Sequence, residues 1–164
     1  MKKVVVFALL AVIGIYVTGR VTLGETGAMR FVVEMDSLMN DGKPDEVCAM
    51  FHDDLEVHIE DHSSETARNV DGGKDELCEL THDAVEALKM LPHSMRVEFN
   101  DVTVNRDWLH PWTSEVSYIE DRTLTIRGTK VRISTTSEDV ITLVHTFSGV
   151  KLRKLKAETW INPN

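Results

Sequence analysis

The stretch D-G-K-P-D-E-V-C-A-M-F-H-D-D-L-E-V, Asp41 to Val57, contains a stop, a start and a change of period. Asp41-Gly42-Lys43-Pro44 reads as a turn, since glycine accepts a left-handed backbone and proline cannot extend a helix that precedes it. Asp45, just after Pro44, opens a short second helix with Val47, Cys48 and Phe51 on one face. Leu55, Val57 and Ile59 then alternate with Glu56, His58 and Glu60, the pattern of a strand with one buried side.

Upstream, Phe31, Val32, Met35, Leu38 and Met39 recur at helical spacing, which predicts a first helix from Ala28 to Met39. Downstream, the polar segment from His62 to Gly73 reads as a loop with room for a short edge strand. Lys74 to Met90 carries Leu77, Leu80, Val85 and Leu88 on a third helix that Pro92 closes. Arg96 to Asn105, Glu115 to Arg127, Lys130 to Phe147 and Val150 to Ile161 are rich in strand-forming residues. Arg127-Gly128-Thr129-Lys130 and Ser148-Gly149 suit hairpin turns between them. Three helices ahead of a run of long strands make an α+β fold. The strands bury one face by curling around the helices, so a cone with a pocket between the layers is expected.

Met1-Lys2-Lys3 precedes an uninterrupted apolar run from Val4 to Val17. A charged start before such a run is an export signal. Residues 1–23 are expected to form an N-terminal apolar helix, a single-pass anchor in the inner or plasma membrane. The N-terminus then stays cytoplasmic and the domain is periplasmic or extracellular. Cleavage after the run, giving a secreted protein, is the alternative. Residues 24–27 read as a linker and 28–162 as the domain. In an oxidising compartment the two cysteines, Cys48 and Cys78, suggest a disulfide. Two small buried thiols on neighbouring helices are the other arrangement. The chain of 164 residues carries 18 basic and 27 acidic side chains, a net charge of −9. Such a surface repels a phosphate backbone, and no basic patch with interleaved aromatics offsets it, so nucleic-acid binding is not expected.

The order helix, helix, strand, helix, then four strands resembles the nuclear transport factor 2-like superfamily, with its SnoaL-like cyclases and ketosteroid isomerase-like proteins. The residues that carry the resemblance are Asp41 to Val57, G-G-K-D-E-L from Gly72 to Leu77, and K-A-E-T-W-I from Lys156 to Ile161. The resemblance implies a cystatin-like α+β cone, three N-terminal helices packed in a curved antiparallel sheet. It places Cys48 and Cys78 on helices that pack together. Because this fold hosts enzymes, transport factors and scaffolds alike, it implies no single activity. In the isomerase-like members a first-helix tyrosine helps hold the oxyanion, and the position with that spacing from Gly42 is Met35. Their general base aligns with Ile59, with Asp61 two residues later on the same strand face. Their protonated late-strand aspartate aligns next to Asp139.

The acid–base candidates are therefore Asp61, Asp139 and His145, with His145 as the proton-transfer group and an aspartate orienting it. Met35, Phe51, Trp112 and Tyr118 are the candidate ligand-binding residues. Trp112 and Tyr118 would form an aromatic rim with Trp108 around Pro111. Glu56, His58, Glu60 and His62 share one strand face, but successive positions lie roughly 7 Å apart, which is wide for one ion. They read as a solvated face, and neither a metal nor another cofactor is expected. The basic run K-L-R-K-L-K, Lys151 to Lys156, reads the same way, with contact to anionic lipid as its functional alternative. No phosphate loop, Ser-His-Asp spacing or cofactor fingerprint is present. The expected function is a tethered exported domain that binds a protein partner or a small apolar ligand without catalysis. The alternative is a SnoaL-like or isomerase-like enzyme with a His/Asp site in the cone pocket. Homodimerisation through the open sheet face is a further expectation of the resemblance.

Overall fold

The computed structural model describes residues 18–19, 21–62, 68–106 and 109–162. The expected leader run, Val4 to Val17, lies outside the described residues, as does Trp108. Among the described residues no helix is long and apolar enough to cross a membrane. Helix α1 spans Glu25–Asn40 and begins inside the segment expected to be a linker. The reason is local burial: Leu23, just before the helix, and Ala28, in its first turn, are both fully enclosed.

The turn after α1 is built as its residues require. Gly42 has φ +72°. Its N–H donates to the Met39 carbonyl (3.1 Å) while the Lys43 N–H donates to that of Leu38 (3.0 Å), closing the helix end. Pro44 starts helix α2, Pro44–Ala49, where a missing N–H costs nothing. Strand β1 spans Phe51–Asp61, so Phe51 opens the strand rather than extending the helix. It is buried and sits beside Leu152 of the last strand. Strand β2, Arg68–Gly72, is the short edge strand. Helix α3, Lys74–Lys89, is capped by the Glu76 carboxylate, which accepts from the Gly73 N–H at 2.8 Å. A disulfide between Cys48 and Cys78 joins α2 to α3, with a Cα–Cα separation of 5.5 Å.

Strands β3 (His93–Asn105), β4 (Thr113–Ile126), β5 (Arg132–Thr146) and β6 (Gly149–Ile161) complete the sheet. Its order is β2-β1-β6-β5-β4-β3. Strand β1 runs parallel to β6, and the other pairings are antiparallel. The expected α+β cone is thus present, with one parallel seam in its sheet. Extra residues interrupt β1, β3 and β6, and such bulges bend a strand and sharpen its twist. In β3 the irregularity holds Asp101 at φ 50°. The curled sheet closes over α1 and α3, burying Phe31, Val32, Leu77, Val116, Ile141 and Leu143 between the layers.

Candidate functional site

Alternation decides what the concave face carries. Val116, buried, sets the parity of β4, and Tyr118, Glu120 and Arg122 follow at every second position. On β5, Ser137 and Asp139 share the face of buried Ile141. Tyr118 lies directly across from Asp139, Glu120 from Ser137, and Ser137 from Thr159 of β6. A polar layer therefore crosses the inside of the sheet. Helix α1 adds Asp36 to it.

Arg122 is the hub. Its Nε donates to Glu120 Oε1 at 2.8 Å and its Nη2 to Asp36 Oδ1 at 3.1 Å. Asn40 donates to the other Asp36 oxygen at 3.0 Å. Burial raises the Asp36 and Glu120 carboxyls above their ordinary values, and the Arg122 charge only partly offsets this. Asp139, 8% exposed, is also pushed up by burial. Hydrogen bonds from Ser137 (2.6 Å) and Tyr118, with the Arg122 charge, oppose the rise. Tyr118 itself is raised well above 10, first by burial and then by the Asp139 charge. Thr159 donates to Ser137 at 3.1 Å, extending the chain of hydrogen bonds across three strands.

Two cavities flank this layer. A cleft of about 370 Å³ lies at one end of the cone, lined by Ala84, Leu88 and Leu91 of α3 and the segment after it, and by Met95, Leu124 and Ile133 of the sheet. Arg122 and Thr135 are its polar contributors. A second apolar cavity of about 200 Å³ is lined by Met35, Phe51, Ile59, Leu77, Thr81 and Leu155 among others. Ala84 borders both. The arrangement offers an apolar enclosure whose polar end is a guanidinium flanked by carboxyls that hold their protons unusually well.

Of the residues singled out from sequence, Met35 and Phe51 line the inner cavity, and Tyr118 and Asp139 bond to each other in the polar layer. Asp61 ends β1 on the inward parity, beside Thr159. It is two strands from Ser137, about 10 Å at the usual strand spacing. His145 is not brought to Asp139: six positions further along β5, it lies about 20 Å away, and its N–H donates to the Trp112 carbonyl at 2.8 Å. Trp112 stands outside the cone, 45% exposed and edge-on to His110. Asp36, Glu120 and Arg122 were not anticipated. Their signal was present: Glu120 and Arg122 share the parity of Tyr118, and Asp36 adjoins Met35 on the inward stripe of α1.

The outer face of β1 holds the histidine-rich residues. His58 contacts Asp71 at 2.5 Å and Glu60 at 3.0 Å, and those bonds raise its pKa. Glu60, His62 and Glu158 place one ligand atom each within 4.8 Å of one another, the single such group among the described residues. Glu158 is already bridged by Lys156 (3.1 Å), and His62 stacks on Trp160. Lys154 pairs with Glu56 at 2.9 Å, so the basic strand is matched by acids on the same face.

No protein-family model matches the sequence, and no curated protein sequence matches it significantly. Solved structures do match. A protein of Novosphingobium aromaticivorans provisionally named a scytalone dehydratase aligns with TM-score 0.64 at 13% identity, covering 87% of each chain. Aln2 from a Streptomyces species aligns with TM-score 0.62 at 17% identity, covering 80% of this chain and 86% of its own. A nuclear transport factor 2-like protein with a cystatin-like fold, also from N. aromaticivorans, gives 0.58 at 14%, covering 79% and 77%. At these identities the likeness is one of fold: this chain has the nuclear transport factor 2-like, cystatin-like cone.

Proposed function

We propose that this chain is an exported, membrane-tethered domain that binds a small, largely apolar molecule inside its cone and does not transform it. The observation that carries the reading is the cleft of about 370 Å³, apolar except for Arg122 and Thr135. That volume falls at the lower end of the roughly 300–1,000 Å³ typical of ligand pockets. The apolar walls supply affinity, and the Asp36–Arg122–Glu120 group orients a carbonyl, hydroxyl or anionic end of the ligand. The disulfide between Cys48 and Cys78 accords with an oxidising compartment. Binding of 1-anilinonaphthalene-8-sulfonate, an apolar body with one anionic end, tests the site. A single saturable site is expected, lost in Ala84→Trp and weakened about tenfold in Arg122→Met, the scale of one charge-assisted hydrogen bond. Unsaturable binding, or binding indifferent to both changes, would sink the proposal.

An acid–base enzyme of the SnoaL-like or isomerase-like kind is the second reading. The proton-retaining carboxyl of Asp139 beside Tyr118 favours it. Asp139→Asn separates the two readings in the native host. A pure binder keeps its cellular phenotype in this variant, whereas an enzyme working through Asp139 loses it.

A further inference from the structure

The end of the cone opposite the cleft carries exposed apolar side chains that the fold does not need. Phe147, at the tip of the β5–β6 hairpin, is 114% exposed, Val21 is 71% exposed and Trp112 is 45% exposed. The hairpin tip is ordered by its own bonds: the Thr146 hydroxyl donates to the Gly149 carbonyl (2.8 Å) and accepts from the Ser148 N–H (3.2 Å). Any polar residue would serve at position 147, so folding does not explain a phenylalanine there. Single exposed apolar residues are ordinary, but these three are grouped. Val21 and the Ser148–Gly149 turn line one groove, and the Trp112 carbonyl accepts from the His145 N–H, two residues before Phe147.

A Cβ on Gly19 would lie 2.7 Å from the Pro111 carbonyl oxygen and 3.8 Å from the Trp112 Cα, so residue 19 rests on the same turn. The apolar run Val4 to Val17 immediately precedes it in sequence. We infer that Phe147, Trp112 and Val21 form a membrane-contact surface, inserted at the headgroup level of the bilayer into which residues 4–17 lead. This rests on the tethered reading proposed above. Arg30, Lys151 and Glu34 border the groove beside Val21, so two cations against one carboxylate stand at headgroup height. Aromatic rings are favoured at that depth because one part of the ring meets acyl chain and the other meets water. The domain then stands on the bilayer with its cleft directed away from it, open to aqueous ligand.

The test uses the full chain with Trp108→Phe and Trp160→Phe, leaving Trp112 as sole indole. It is reconstituted into phosphatidylcholine–phosphatidylglycerol vesicles with and without bromine on the upper acyl carbons. Bromine is expected to cause a roughly twofold loss of Trp112 emission, since interfacial rings sit beside those carbons. Phe147→Asp should reverse most of that loss without releasing the chain from the vesicles. A companion chain whose sole indole is Trp160, at the far end of β6, should be unaffected. If the chain floats with the vesicles but Trp112 ignores bromine, the contact surface is wrong while the tether stands. Trp112 shielded from aqueous acrylamide yet blind to bromine means that protein covers the tip, which equally overturns the inference. A chain that does not float at all overturns tether and surface together.

Discussion

Glu120 sits against Arg122, yet burial outweighs that charge and its carboxyl keeps a proton above the ordinary 4.5. The consequence for stability has a definite sign. Between 4.5 and the raised folded value the unfolded chain has ionised while the folded chain has not, so stability falls as pH rises through that window. Asp36 and Asp139 act in the same direction from 3.8 upward. Asp53, Glu56 and Glu76, held low in the folded chain, act the other way, so the Glu120 share is read by difference: thermal melts should show the variant Glu120→Gln losing less stability than the parent as pH rises above 4.5. An equal change in both would mean that Glu120 titrates normally. His58 contributes at higher pH: Asp71 and Glu60 raise it, so its stabilising share is complete below 6.5 and is lost as pH rises through the folded value. NMR titration should find its midpoint above 6.5 and return it toward that value in Asp71→Asn. Asp101, held at φ 50°, gives a third expectation: Asp101→Gly should raise stability by up to about 1 kcal/mol in urea unfolding. At this scale the sequence was only half legible. Asp139 stood out because it interrupts an apolar face, and Tyr118 only as part of an aromatic rim with Trp112, whereas it is buried in the polar layer and Trp112 is exposed. Glu120 and Arg122 did not, because two charges on a strand read as its wet side until a partner such as Asp36 is known to reach them from a helix.

The joint between helices shows the opposite balance. Gly42 and Pro44 announce the end of α1 and the start of α2, and the structure follows both. The two cysteines were readable as a pair only through export and through which helices pack together. Their bridge closes a segment with a sequence separation of 30. By the chain-entropy relation its loss costs roughly 3–4 kcal/mol, so Cys48→Ser with Cys78→Ser should lower the urea midpoint accordingly. A shift under about 1 kcal/mol would mean that α2 and α3 hold together without it. Boundaries were less accessible. Phe51 falls at helical spacing from Val47 and Cys48, but a six-residue helix has little length to use it, and pairing beside Leu152 draws it into β1. The parallel course of β1 against β6 was hidden too, because Leu55, Val57 and Ile59 alternate identically in either direction. Only the tertiary path of the chain decides it.

For the molecule as a whole, the core lies where α1, α3 and the inner sheet face converge, and Ile141 and Leu143 at its centre are fully enclosed. Leu143→Ala should cost about 2–5 kcal/mol, the range for truncating a large aliphatic residue in a packed interior. On the outer sheet face the basic run does not reverse the acidic balance, because Lys154 and Lys156 are matched there by Glu56 and Glu158. The parallel seam has a further effect, on timing. Strand β1 is made early, yet one of its two flanking strands is β6, the last to be synthesised; until then only the short β2 can pair with it. Contacts so distant in sequence form late and slowly. A nascent chain therefore cannot complete its sheet before β6 has been made, so closure of the cone waits on the last of its strands.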